Sequence, residues 1–425
     1  MAAEYTLRVD AQAVQRWCAG AVYLTACFPF VSPLPLGVDT QPLCLMFALL
    51  LMACIMTSTG LERRDFFVLF TASASLVYLD PTSGLGADMG KYVALLAGML
   101  ILVAGRAVDP RLAYRLLRLA IVAYFVFSCL IMLQPEFFLK LQGFIVRAVN
   151  VTEEDPLKYR GVPTFATEPG LLGGLLVFFL IQLRMFAAID IGAVRERRVL
   201  FALVCATVFL TKSGTGYFFL MLYLGAATVQ DRIRSTAGVV MAGLLVFGLL
   251  AGLAALGAAL EIDNRGLALL VGIASGTTFG EDTSVLKRLY DFAIGFISLG
   301  DSPMGVGGNM VDVAVNRIAF AHGLVRDVDY GGTISLVSGL SWMMVAYGFV
   351  GLAFLLYVFL VYSRASWISK LFALLFFSFS YSPAFPAIWI LLAQGRGKGR
   401  MPFADPAAAA PGGEPPGHAL AQTKT

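Results

Sequence analysis

Between Thr236 and Glu261 the chain passes through residues 237–260 without one charged side chain. An α-helix rises about 1.5 Å per residue, so roughly 20 apolar residues cover the ~30 Å hydrocarbon core of a bilayer. There each backbone N–H and C=O must be satisfied inside its own segment, which commits such a run to a spanning helix. Further apolar runs lie at 18–37, 41–59, 66–80, 91–105, 114–133, 170–187, 199–211, 215–230 and 338–363. The stretch 366–394 is too long for one untilted span and contains Pro383 and Pro386, so it reads as two short helices joined by a bend. Hydrophobic residues make up 59% of the chain and charged ones 14%, far from the balance of a soluble domain. The expected fold is an all-α polytopic membrane protein with about twelve transmembrane helices and two larger outer-face (periplasmic) loops. Several runs are shorter than a full span, which calls for local thinning or for half-spanning segments buried in protein.

Orientation follows from the cations. Arg8, Arg16 and the clusters at 63–64, 106–118, 184–198, 232–234, 364–370 and 396–400 fall in alternate connections and place nineteen Lys/Arg on one face, against eleven on the other. The positive-inside rule makes the richer face cytoplasmic, with both termini there. No short h-region with a cleavage site precedes the first run, so that run is expected to stay as an anchor. The organisation read from this is: helices one to five over 1–133, an outer loop at 134–169, helices six to nine over 170–260, a large outer loop at 261–337, C-terminal helices over 338–394, and a disordered cytoplasmic tail at 395–425. The tail is rich in Pro, Gly and Ala and has no apolar period. The net charge of +4 is mostly the topogenic signal and does not imply nucleic-acid binding. All six cysteines fall in apolar runs without metal-type spacing, so neither a disulfide framework nor a zinc site is expected.

Topogenic bias would keep cations out of external loops, yet the outer face carries eleven. Either they pair with the carboxylates there or they bind an anion. Three stretches favour an anion. In YRGVPTFATEPGLLGG, Arg160 lies eight residues before Glu168, and Pro163 and Pro169 force non-helical backbone at the edge of a span. Glu168 at that helix start could equally cap the free N–H groups. In LTKSGTG, Leu210 to Gly216, an apolar run breaks early and exposes Lys212, Ser213 and Thr215 at membrane depth. The alternative is that Lys212 only snorkels to the interface.

The third stretch, VLKRLYDFAIGFISLGDSPMGVGGNM, puts Lys287, Arg288 and Asp291 on the first turns of an amphipathic helix that ends in a glycine-rich turn. That turn could offer backbone N–H groups to an anion, but no Walker lysine follows. His322 and Arg326 come next, and a lone histidine is as readily an exposed residue as a functional one. Cytoplasmic arginines read as topogenic only.

The order of these stretches, Arg160 with Glu168–Pro169, the Leu210–Gly216 break, and Lys287-Arg288 followed by Ser302-Pro303-Met304-Gly305, resembles bacterial O-antigen and exopolysaccharide polymerases and the related O-antigen ligases. His322 and the bend in MVAYGFVGLAFLL fit the same pattern over residues 155–360. Gly214 stands where relatives often carry an arginine, and Gly323 where many carry an asparagine.

The resemblance implies a metal-independent glycosyltransferase of the bacterial inner membrane that needs no cofactor. It would move a glycan from an undecaprenyl diphosphate-linked donor to a lipid-linked acceptor glycan on the outer face. The partners implied are that lipid-linked oligosaccharide, the bilayer itself, and chain-length regulator or export proteins. Arg160, Glu168, Arg288 and His322 would be the catalytic groups, with Lys212, Ser213, Thr215, Lys287 and Arg326 binding substrate and no metal site. The alternatives are an O-antigen ligase acting on lipid A core, or a transporter of lipid-linked oligosaccharide or solute. A transporter would carry ionisable groups at the bilayer midplane and broken helices in both halves.

Overall fold

The computed structural model describes residues 11–31, 42–58, 60–75, 89–146, 161–232, 283–324, 336, 338–379 and 385–394. The expected span at 237–260 and the expected tail at 395–425 lie outside them. The described chain is helical: α1 (Ala11–Cys27), α2 (Pro42–Ser58), α3 (Arg63–Ala74), α4 (Met89–Gly105), α5 (Pro110–Leu133), α6 (Pro135–Ile145), α7 (Pro169–Ala188), α8 (Val194–Leu210), α9 (Gly214–Arg232), α10 (Thr283–Asp301), α11 (Val311–Ala321), α12 (Gly339–Leu356), α13 (Trp367–Phe379) and α14 (Pro386–Ala393). Among the described residues the only β pairing is an isolated bridge between Val31 and Val146.

Three stretches are long and apolar enough to cross a membrane: α5, α7, and α12 with its π-helical continuation to Tyr362. The helix α2 and the apolar parts of α4 and α13 are shorter. The outward faces are apolar as well. Leu133 is 77% exposed, Phe144 85% and Leu360 63%, which suits a lipid surround and not water.

Prolines and caps set the boundaries. The Asp109 carboxylate accepts the Leu112 N–H at 3.1 Å while Pro110 occupies the first helical position of α5. Pro135 cannot continue that helix, so α6 starts there in a new direction. The first helix departs from the expected 18–37 run: it begins at Ala11 and stops at Cys27. Pro29 disfavours helical backbone at Phe28, and Gln15 is buried on the N-terminal turns.

The core is aromatic. Tyr124 of α5 stacks on Phe28 at 5.2 Å, meets Phe165 edge-on at 5.2 Å, and donates its hydroxyl to the Cys27 carbonyl at 3.0 Å. Tyr23 donates to Gln182 Oε1, satisfying both buried groups across α1 and α7. On α13, Phe376 lies 4.2 Å from both Phe178 of α7 and Phe219 of α9. The helices α7 and α9 cross where Gly173 meets Gly216; a Cβ on Gly173 would fall 2.4 Å from the Gly216 Cα.

Helix α10 runs beside α12 in the same direction, since Gly295 lies on Ser341 while the Pro303–Gly307 turn lies on Val345–Phe349. The α10 turn therefore reaches the middle of the long apolar helix. There α12 is broken at Gly348 (φ 58°, ψ −141°), and the freed backbone groups are taken up by the turn: Val306 N–H donates to Val345 O at 3.0 Å, Gly307 N–H to Ala346 O at 3.0 Å, and Phe349 N–H to Pro303 O at 2.8 Å. Irregular backbone of this kind is tolerated beside apolar surroundings because protein, not lipid, satisfies it.

Candidate functional site

Two of the three stretches singled out in the sequence are side by side. Val162 N–H donates to Leu210 O at 3.1 Å, and Gly161 has φ 73°, with room for no Cβ: one would sit 2.1 Å from the Thr211 carbonyl oxygen. The segment leading into α7 is thus pressed onto the break between α8 and α9. A Cβ on Gly170 would fall 3.6 Å from Ser213 Oγ and 3.9 Å from Thr215 Oγ1, so both hydroxyls face the first turn of α7. Glu168 is the N-cap residue of α7, but its side chain makes no cap hydrogen bond and is exposed. The capping alternative is therefore not realised, and the carboxylate projects from the helix start.

Lys212 is half-buried and held in left-handed backbone (φ 47°), a conformation that costs a lysine on the order of 1 kcal/mol and that surrounding contacts must impose. Ser213 caps α9, its Oγ accepting the Gly216 N–H at 3.2 Å. Because α7 and α9 both begin here, two positive helix ends converge with Lys212 beside one exposed carboxylate. The positive ends of the two helix dipoles therefore fall at the same end of the bundle.

The third stretch forms a second cluster. On α10, Asp291 is 1% exposed and Arg288, one turn earlier, is half-buried with its Nε out of solvent. Gly295 brings α10 onto Ser341, whose hydroxyl donates to Ser338 Oγ at 3.0 Å. Trp342 and Tyr347 of α12 are buried and meet edge-on at 5.7 Å. His322 ends α11, which packs on both α10 and α12, and its ring is exposed. Helix α13 touches both α7 and α10.

Arg160 and Arg326 lie outside the described residues, as does the side chain of Lys287. The structure therefore brings Glu168, Lys212, Ser213 and Thr215 together, and separately places Arg288 on a helix packed with the one that ends at His322. Among the described residues no three His, Cys, Asp or Glu side chains form a metal-like group, and all six cysteines are free thiols.

Sequence reasoning missed a cluster on the opposite face. Arg106, taken as topogenic, donates from Nη1 to Asp65 and from Nη2 to Glu62 at 3.4 Å, and its guanidinium lies 5.4 Å from the Tyr362 ring centre. Tyr362 donates to the same Asp65 oxygen at 2.6 Å. Asp65 is only 7% exposed, so this is a structural ion pair joining α3, the end of α4 and the end of the α12 span. The signal in the sequence was an acid two residues after Arg63 on a helix start, which carries no partner information. Comparison with protein-family models, curated proteins and solved structures returned no match.

Proposed function

We propose that this protein is a membrane glycosyltransferase that polymerises lipid-linked glycan repeats on the outer face of a bacterial inner membrane. In the reaction, an acceptor hydroxyl oxygen attacks the anomeric carbon of the donor sugar. The bond from that carbon to the phosphate oxygen breaks, polyprenyl diphosphate leaves with the bonding pair, and the hydroxyl proton passes to a base. The leaving group gathers negative charge, which fixed cations can stabilise if they are already in place before the reaction. The observation that carries this reading is the packing of residues 161–170 onto the 210–216 break, which sets Lys212 beside two converging helix N-termini.

In this reading Lys212, with Ser213 and Thr215, binds the diphosphate and Arg288 stabilises the leaving group, its guanidinium fork matching two phosphate oxygens. Glu168 and His322 are the two groups able to accept the hydroxyl proton or orient its oxygen. Arg160, Lys287 and Arg326, assigned to the outer loops by the sequence alone, are further cations for the same substrate in this reading.

The test is the glycan content of cells lacking the protein. Accumulated single lipid-linked repeats with no polymer support the reading. Polymer made normally but not attached to lipid A core would indicate a ligase instead, and repeats trapped on the cytoplasmic side would indicate a transporter.

A further inference from the structure

At the other end of α7, on the face that carries Arg184 and Arg364, a small open-mouthed pocket lies between α7, the start of α13 and the end of α14. Arg184 is sixteen residues beyond Glu168, about 24 Å along the helix, so this pocket is separate from the candidate site. Its polar lining is Arg184, Ser366 and Gln394; Ile181, Met185 and Ile368 form its apolar wall. Gln394 is 9% exposed, yet neither its Nε2 nor its Oε1 has a hydrogen-bond partner among the described residues. An amide buried in that way costs stability unless a water or a ligand atom enters the pocket to meet it.

The geometry points to a phospholipid site in which the phosphodiester of an anionic headgroup is held by Arg184 and the Gln394 amide. The amide suits such a group because Nε2 donates to a phosphate oxygen while Oε1 accepts from a headgroup hydroxyl or ammonium. Arg184 reaches towards the Ala227 carbonyl at 3.4 Å, and a guanidinium binds phosphate oxygens through charge-assisted hydrogen bonds. The apolar wall suits the first methylenes of the acyl chains. Three cations, Arg396, Lys398 and Arg400, follow Gln394 in the sequence, the arrangement that draws anionic lipid to a membrane surface. Free phosphate shares the oxyanion chemistry but would gain nothing from the apolar wall. The inference does not depend on the transferase reading.

The test uses the full-length protein purified in mild detergent, with native mass spectrometry and thermal unfolding as readouts. Added phosphatidylglycerol should remain bound and raise the unfolding temperature, while phosphatidylcholine should do neither. Gln394→Leu and Arg184→Met should each weaken phosphatidylglycerol retention about tenfold or more. Gln394→Glu keeps the shape, adds a like charge, and should abolish retention in protein that still elutes as a folded species. Equal retention by wild type and all three variants would overturn the site. Stabilisation by inorganic phosphate at millimolar concentration, with none from phosphatidylglycerol, would overturn the lipid assignment.

Discussion

The Phe349 N–H donates to the Pro303 carbonyl over 2.8 Å, a bond made where Gly348, the residue just before Phe349, breaks the helix. Gly348 has φ 58° and ψ −141°, a region that side chains other than glycine's avoid at a cost on the order of 1–3 kcal/mol. A Cβ there would also fall 2.0 Å from Pro303 O. Gly348→Ala should therefore lower the unfolding temperature and displace the α10 turn from α12, and under the proposed function it should reduce polymer yield. Gly143→Ala is the control: that glycine is helical, exposed and has nothing within 4 Å of an added Cβ, so alanine should be neutral or stabilise by up to about 1 kcal/mol. Equal thermal stability for the two variants would contradict the role given to the break.

Removing the guanidinium at Arg106 would leave Asp65 buried with Tyr362 and no cation. Loss of one member of a buried pair costs roughly 3–5 kcal/mol, and the Arg106 side chain, 23% exposed, belongs near the lower figure. Arg106→Ala should reduce stability by about 3 kcal/mol, while Arg106→Ala combined with Asp65→Leu should recover part of it, as measured by denaturant or thermal unfolding. A double variant no more stable than the single one would show that the pair is not the source of the loss.

How much of this was legible beforehand differs by kind of feature. Helix starts at Pro110, Pro169 and Pro386 are local: the residue at the boundary carries its own reason. The amphipathic helix holding Arg288 and its glycine-rich turn could likewise be read directly. What could not be read was which backbone each special glycine serves. Gly161 and Gly348 each advertise unusual conformation or close approach, but Thr211 and Pro303, their neighbours in space, lie some 50 and 45 residues away and are fixed only by packing. The same holds for Arg106 and Asp65, 41 residues apart, where charge alone suggested topology and the partner appeared only in three dimensions.

A pH effect follows at the surface ion pair between Arg118 and Glu196, which lie 2.7 Å apart. The hydrogen bond from Arg118 holds the Glu196 carboxyl below its ordinary value. A depressed acid stabilises the fold above its unfolded value of about 4.3 and loses that contribution as the pH falls through the lower folded value. The pair is partly exposed and salt screens it, so the effect is small. Wild type should unfold slightly above Glu196→Gln at neutral pH, and the gap should close on acidification below about pH 4. A gap that widens on acidification would contradict the direction of the shift.

The Arg288 prediction decides between a binding cation and a merely structural one. If its guanidinium stabilises the departing diphosphate, Arg288→Ala should lower the transfer rate by about a hundredfold, corresponding to roughly 3 kcal/mol of barrier. Arg288→Lys restores charge without the fork and should fall between alanine and wild type. A structural role predicts another pattern. Asp291, one turn away and 1% exposed, would lose a nearby cation in the alanine variant, so stability would fall while transfer per folded molecule stayed near normal. Polymer yield should therefore be normalised to folded, membrane-inserted protein, with Arg195→Ala as the control because that arginine is exposed on the opposite face. Normal transfer per folded molecule in Arg288→Ala would remove this residue from the site while leaving the helical fold unaffected.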